Sequence, residues 1–265
     1  MRAITTALLL LCATLAFAQG PPLNGTPEQL FDAGMNALSG SANTQNSFAA
    51  VDYFRKSPDK GYAPAQVVMG YFADDGTLIA ANASDAAEWY RKAADQGDVL
   101  AQWLLGRLYV IGSGLPQDYS AAQRILLSPA EQGNPFAALL LGRVMLDRDY
   151  SKAPRWFRVA AEQGLPAAQF QYATALRDGR GVPQDRLQAY VWFLIAQDGG
   201  YPAANDLSAL DGILSRDQID RAKEKARQLE DSVSRSVAAH GCSGWPGELD
   251  EIPSPPPPRL QHFCR

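Results

Sequence analysis

Histidine is almost missing from this 265-residue chain: the only two are His240 and His262. Catalysis built on a histidine triad would have to be assembled from that C-terminal tail. Cysteine is nearly as scarce, with Cys12, Cys242 and Cys264 making up the whole set of three. Positive charge is not in excess either, since 24 Lys and Arg face 28 Asp and Glu for a net charge of -4. Without a basic stripe to neutralise phosphates, no nucleic-acid partner is expected. After residue 18 no apolar run approaches the roughly 20 residues that span a bilayer, so the rest of the chain is not expected to insert into a membrane.

The first 18 residues read as a secretory signal. Arg2 supplies the positive start, Ala7 to Leu15 form an apolar core, and Ala16-Phe17-Ala18 is an A-x-A cleavage site. The mature chain is then expected to begin at Gln19, in the periplasm or outside the cell. An uncleaved anchor is the alternative reading, disfavoured by the short core. Cys12 follows the bulky Leu11, where a lipidated cysteine usually follows a small residue. Removing this segment leaves Cys242 and Cys264, and two cysteines in an exported chain favour one disulfide.

What the sequence has in quantity is a repeat. Gly61, Gly97, Gly133, Gly164 and Gly200 are spaced by 36, 36, 31 and 36 residues. A second series, Gly34, Gly70, Gly106 and Gly142, runs at intervals of 36, with Ala173 next after the short step. Such periods mark an array of helical hairpins. The same steps relate Tyr53, Trp89, Ile125, Trp156 and Trp192, and also Gln66, Gln102, Ala138, Gln169 and Asn205. A third set, Ser57, Ala93, Pro129, Ala160 and Ala196, is mostly small. Stacked helix pairs need a large side chain filling each layer and small ones where helices approach closely. The tryptophans are therefore expected in the core rather than in a ligand cage, and the amides are expected to bond backbone or neighbouring side chains.

In chain order, residues 19–26 read as a flexible Gly/Pro-rich start. Residues 27–240 read as the array: a half repeat, about five helix pairs, and a closing helix over 216–240. Thr26-Pro27-Glu28-Gln29 and Ser215-Arg216-Asp217-Gln218 are capping boxes that start the first and last helices. Pro129 is expected to kink or disturb its helix. The linkers Gly112-Ser113-Gly114 and Gly179-Arg180-Gly181 lie between helices rather than after a strand, so they read as chain reversals and not as phosphate loops. The closing helix carries Ile219, Ala222, Ala226, Leu229, Val233 and Val237 on one stripe and charge on the other face. Residues 241–265 form a Pro-rich tail, with polyproline II expected over Pro253–Pro258 as a stiff spacer or a Pro-motif ligand.

These residues resemble the Sel-like repeat family, relatives of the tetratricopeptide repeats. The resemblance is carried by Ala86 to Gly97 with Ala101-Gln102 and Leu105-Gly106, and by Ala160 to Gly164 with Ala168-Gln169. The loop Gly179 to Asp185 and the closing segments Ala189 to Phe193 and Leu214 to Ile219 agree as well, so the match runs over roughly residues 27–232. It implies an all-α fold, a right-handed α/α superhelical solenoid of helix-turn-helix units. It also implies an adaptor or regulator that binds a protein or peptide, with no shared catalytic residues and no cofactor.

The residues outside the repeat supply the competing readings. His240-Gly241-Cys242 and His262-Phe263-Cys264 hold every histidine and every cysteine of the mature chain. Together they suit a Cys2His2 metal set, although the spacing is not a familiar zinc pattern. A Cys242–Cys264 disulfide with incidental histidines is the preferred alternative. The acidic pairs Asp74/Asp75 and Asp250/Glu251 read as solvated loop residues rather than paired acid and base. Arg143, Arg148 and Arg158 read as solvent contacts, as single arginines on helices usually are, with lining a groove as the alternative. The expected function is an exported interaction scaffold binding in a concave groove, with no enzymatic activity. A cell-envelope hydrolase or a metal- or redox-responsive module working through the tail are the alternatives.

Overall fold

The structure, a computed structural model, describes residues 25–39, 44–57, 61–76 and 78–239. These residues form twelve α-helices and no strand. The first four are α1 (Pro27–Ser39), α2 (Thr44–Lys56), α3 (Ala63–Asp75) and α4 (Ala83–Ala94). Next come α5 (Val99–Ile111), α6 (Tyr119–Glu131), α7 (Pro135–Arg148) and α8 (Ala153–Glu162). The last are α9 (Pro166–Asp178), α10 (Arg186–Asp198), α11 (Ala204–Asp211) and α12 (Arg216–Ala239). The fold is the expected all-α helical repeat. The chain divides into two compact units, residues 1–96 and 97–265.

In the first unit, α1 opens on its capping box. The Thr26 backbone N–H donates to Gln29 Oε1 at 2.9 Å, and the Gln29 N–H donates to Thr26 Oγ1 at 3.3 Å. Helix α3 buries every residue from Ala65 to Ala73, and α4 buries Ala86, Ala87, Tyr90, Ala93 and Ala94 while keeping a charged face outside. The glycines let large rings reach the helix axis. A Cβ on Gly34 would lie 2.7 Å from the Phe54 ring, and one on Gly70 would lie 2.5 Å from the Tyr90 ring. Two polar bridges tie the unit together: Ser57 Oγ donates to the Pro27 carbonyl at 2.7 Å, and Gln96 Nε2 donates to Gln66 Oε1 at 2.7 Å.

The second unit repeats the scheme. A Cβ on Gly106 would lie 2.6 Å from Leu126, and one on Gly142 would lie 2.6 Å from the Phe157 ring. Asp98, Asp118, Asn134 and Asp185 cap α5, α6, α7 and α10 through their side chains, each answering N–H groups that the first turn leaves unpaired. Both Gly-x-Gly linkers are the expected reversals. Gly112, Gly114, Gly179 and Gly181 all have φ between 70° and 74°, the left-handed region that glycine enters without penalty. Gln117 Nε2 and Gln184 Nε2 each donate back across their linker at 2.7 Å, to the carbonyls of Val110 and Arg177.

One packing expectation needs correction. Trp89 and Ile125 are only half-buried, whereas Tyr53, Trp156 and Trp192 of the same series are buried. The side chain that fills each glycine notch is one residue later: Phe54, Tyr90, Leu126 and Phe157. Those four and Phe193, next in that series, are at most 1% exposed. The Trp89 ring is used locally, with Lys92 Nζ 4.2 Å from its centroid. Helix α6 also runs through Pro129 to Glu131, with Pro129 buried at the helix-contact position of the series Ala93, Ala160, Ala196. The proline removes one backbone donor from the last turn, and the helix ends two residues later.

The closing helix α12 starts on the second capping box, with the Ser215 N–H donating to Gln218 Oε1 at 2.8 Å and the Gln218 N–H to Ser215 Oγ at 3.3 Å. Ala222 and Ala226 are buried, and Arg221, Lys223, Glu224, Lys225 and Arg227 are exposed. Val233 and Val237 have side chains outside the described residues.

Candidate interaction surface and cleft

Helices α5 and α9 of the second unit bury residues all around, while α6 and α8 bury one stripe and expose charge. Polar groups that α7 and α9 leave part-exposed are therefore the ones not consumed by packing. Arg143 is half-buried on α7. Arg148, at the end of α7, donates through Nη1 to Ser120 Oγ at 2.8 Å. Arg158, on α8, lies 3.8 Å from Glu162. The last two are engaged with different local partners on exposed surface and do not share one. On α9, Arg177 bonds Asp178 at 2.7 Å and also pairs with Asp206 of α11. Phe170 stacks near Tyr201, centroids 4.8 Å apart.

The acidic pair Asp74/Asp75 serves Tyr71. Burial first, then a hydrogen bond to Asp75 and the charges of Asp75 and Asp74, push the Tyr71 hydroxyl far above its ordinary range. His240, Cys242, His262 and Cys264 lie outside the described residues, as do Asp250 and Glu251. Among the described residues no three His, Cys, Asp or Glu side chains come together as a metal set. No described helix is long and apolar enough to cross a membrane.

One cleft in the second unit was not anticipated. It is open, holds about 280 Å³, and is walled by Gly164, Pro166, Ile195 and Gly199 with Gln169, Asp198 and Glu230 as its polar lining. Gln169 comes from α9, Asp198 from the end of α10 and Glu230 from α12. Gln169 is 2% exposed. Its Nε2 donates to the Ala161 carbonyl at 3.3 Å, and its buried Oε1 accepts nothing. Glu230 has its carboxyl raised above the ordinary value, chiefly by burial, then by the charge of Asp198, a hydrogen bond with Asp198 and the charge of Asp231. No protein N–H or hydroxyl reaches the buried Glu230 Oε1.

One position of the repeat differs at this junction. Gln66 in the first unit is satisfied by Gln96, 30 residues later. The residue 30 after Gln169 is Gly199, where Gln96, Gln132 and Gln163 hold the matching position in other repeats. A Cβ on Gly199 would lie 2.7 Å from Pro166 Cγ. Position 199 carries no amide to bridge to Gln169, a lining residue of the cleft whose buried Oε1 is left without a hydrogen bond. The register from the repeat contained that signal, since it aligns 199 with three glutamines.

The Sel1 repeat model matches residues 63–98, 99–134, 137–165 and 166–201, just over half of the chain. The chain belongs to the Sel1 repeat family. Among solved structures, this Sel1 repeat chain is similar to a Sel1 repeat protein from Oxalobacter formigenes, at 27% identity, covering 78% of this chain and 85% of that one, with a TM-score of 0.61. It is also similar to a protective antigen present in uropathogenic Escherichia coli strains that displays an SLR fold. There the identity is 24%, the match covers 85% of this chain and 58% of that one, and the TM-score is 0.60. No curated protein matches the chain.

Proposed function

We propose that this Sel1 repeat protein is exported, matures at Gln19, and acts in the periplasm or outside the cell as a scaffold that binds a protein or peptide. Sel1 repeats are generally protein–protein interaction scaffolds, and the four matched repeats are the observation that carries the reading. The packing is consistent with it. The large repeated side chains are used up in the core, which leaves variable polar and aromatic groups such as Arg143, Phe170 and Arg177 part-exposed on α7 and α9. The partner is expected in the concave groove of stacked helix pairs.

Crosslinking with mass spectrometry in the native host tests both halves of this reading. A stoichiometric partner whose cross-links map to α7 and α9, on a protein whose N-terminus is Gln19, supports it. A full-length intracellular chain sinks the export half. Cross-links confined to the outward faces of α6 and α8 sink the groove.

A further inference from the structure

We propose that the cleft between α9, α10 and α12 binds an aliphatic primary ammonium group, held by the acceptor oxygens of Gln169, Asp198 and Glu230. The polar lining of the cleft is rich in acceptors: one amide oxygen and two carboxyl groups. Gln169, 2% exposed, donates one Nε2 N–H to the Ala161 carbonyl and keeps a buried amide oxygen with no hydrogen bond. An unpaired buried carbonyl of this kind is costly, and a ligand N–H relieves the cost. The two carboxyl groups supply the other acceptors and negative charge, with Asp231 close enough to add to it. No Lys or Arg lines the cleft to compensate that charge.

The chemistry selects the cation. An ammonium carries three donors and no acceptor, which matches three acceptor groups arriving from three helices. A hard divalent ion takes at least six oxygens and favours several carboxylates, and the protein offers three oxygen-bearing side chains here. Pro166 and Ile195 provide apolar wall for the methylenes behind the ammonium. The group can belong to a lysine side chain or to a free alkylamine. The inference stands apart from export and from the proposed partner, since it rests on the geometry of one repeat junction.

The test is an amide NMR titration of the full mature chain with n-butylammonium, following Gly164, Gln169 and Gly199. Tetramethylammonium, which has no N–H, and calcium chloride serve as controls. Saturable shifts with butylammonium alone are expected. Glu230→Gln and Gln169→Leu should each weaken binding about tenfold or more, the scale of a lost hydrogen bond to a charged group. Circular dichroism checks the fold of each variant, and Asp198→Asn, at an exposed position, replaces whichever does not fold. Non-saturating shifts, equal shifts with tetramethylammonium, tighter binding of calcium, or undiminished binding by the folded variants each overturn the assignment. A lysine-containing peptide that outcompetes 1,4-diaminobutane identifies a protein source, and the reverse identifies a free amine; either order supports the site.

Discussion

Gly142 and Phe157 show how this repeat is closed one side chain at a time. A helix-interior glycine costs about 1 kcal/mol relative to alanine, yet a methyl at 142 would sit 2.6 Å from the Phe157 ring. The ring is 1% exposed and has nowhere to retreat. Overpacking of this kind costs roughly 1–3 kcal/mol, so the propensity gain does not decide the sign. Gly142→Ala is expected to lower stability, read as an earlier urea midpoint with unchanged slope. Glu230 gives a prediction in pH. Its folded value is raised, chiefly by burial, so its proton stabilises the fold below the ordinary glutamate range, about 4.3. That contribution is lost as pH rises through the folded value. Glu230→Gln should therefore gain on the wild type in melting temperature as pH rises through that window. A difference that is flat with pH would show that Glu230 does not retain its proton.

At the scale of the element, the start signals carry most of the legible information. Asp118 accepts from the Ser120 and Ala121 N–H groups at 2.8 and 3.0 Å, and Asp185 from the Gln188 N–H at 2.9 Å. Asp118→Ala and Asp185→Ala are each expected to cost about 1 kcal/mol in chemical denaturation. Helix α11 has eight residues and buries Leu207 and Leu210, whereas α10 buries seven of its thirteen. Hydrogen exchange should accordingly open α11 well before α10.

The helices, both capping boxes and the Gly-x-Gly reversals were readable because each depends on residues within a few positions of one another. The inward aromatic was misplaced by one residue. Trp89 and Tyr90 are both large, and sequence spacing does not say which one points at Gly70. The cleft was missed because Glu230 reaches it from α12, outside the repeat period, and only the substitution at Gly199 marked the place.

At the scale of the whole molecule, the repeat accounts for the fold and family, and the proposed export makes a testable statement about the cysteine pair. Cys242 and Cys264 are the only cysteines left once residues 1–18 are removed. In an oxidising compartment they are expected to pair, closing a loop of about 23 residues and contributing roughly 3 kcal/mol in the chain-entropy model. Protein matured through export should then show no free thiol under denaturing conditions, and two after reduction. Protein made in a reducing cytosol should show free thiols from the start and unfold at lower denaturant. Two reactive thiols together with stoichiometric zinc or copper in the exported protein would replace the disulfide with a site using His240 and His262. Two free thiols without metal would return the tail to a plain proline spacer. Because the metal reading needs thiolates and the disulfide consumes them, one thiol count on exported material decides between them.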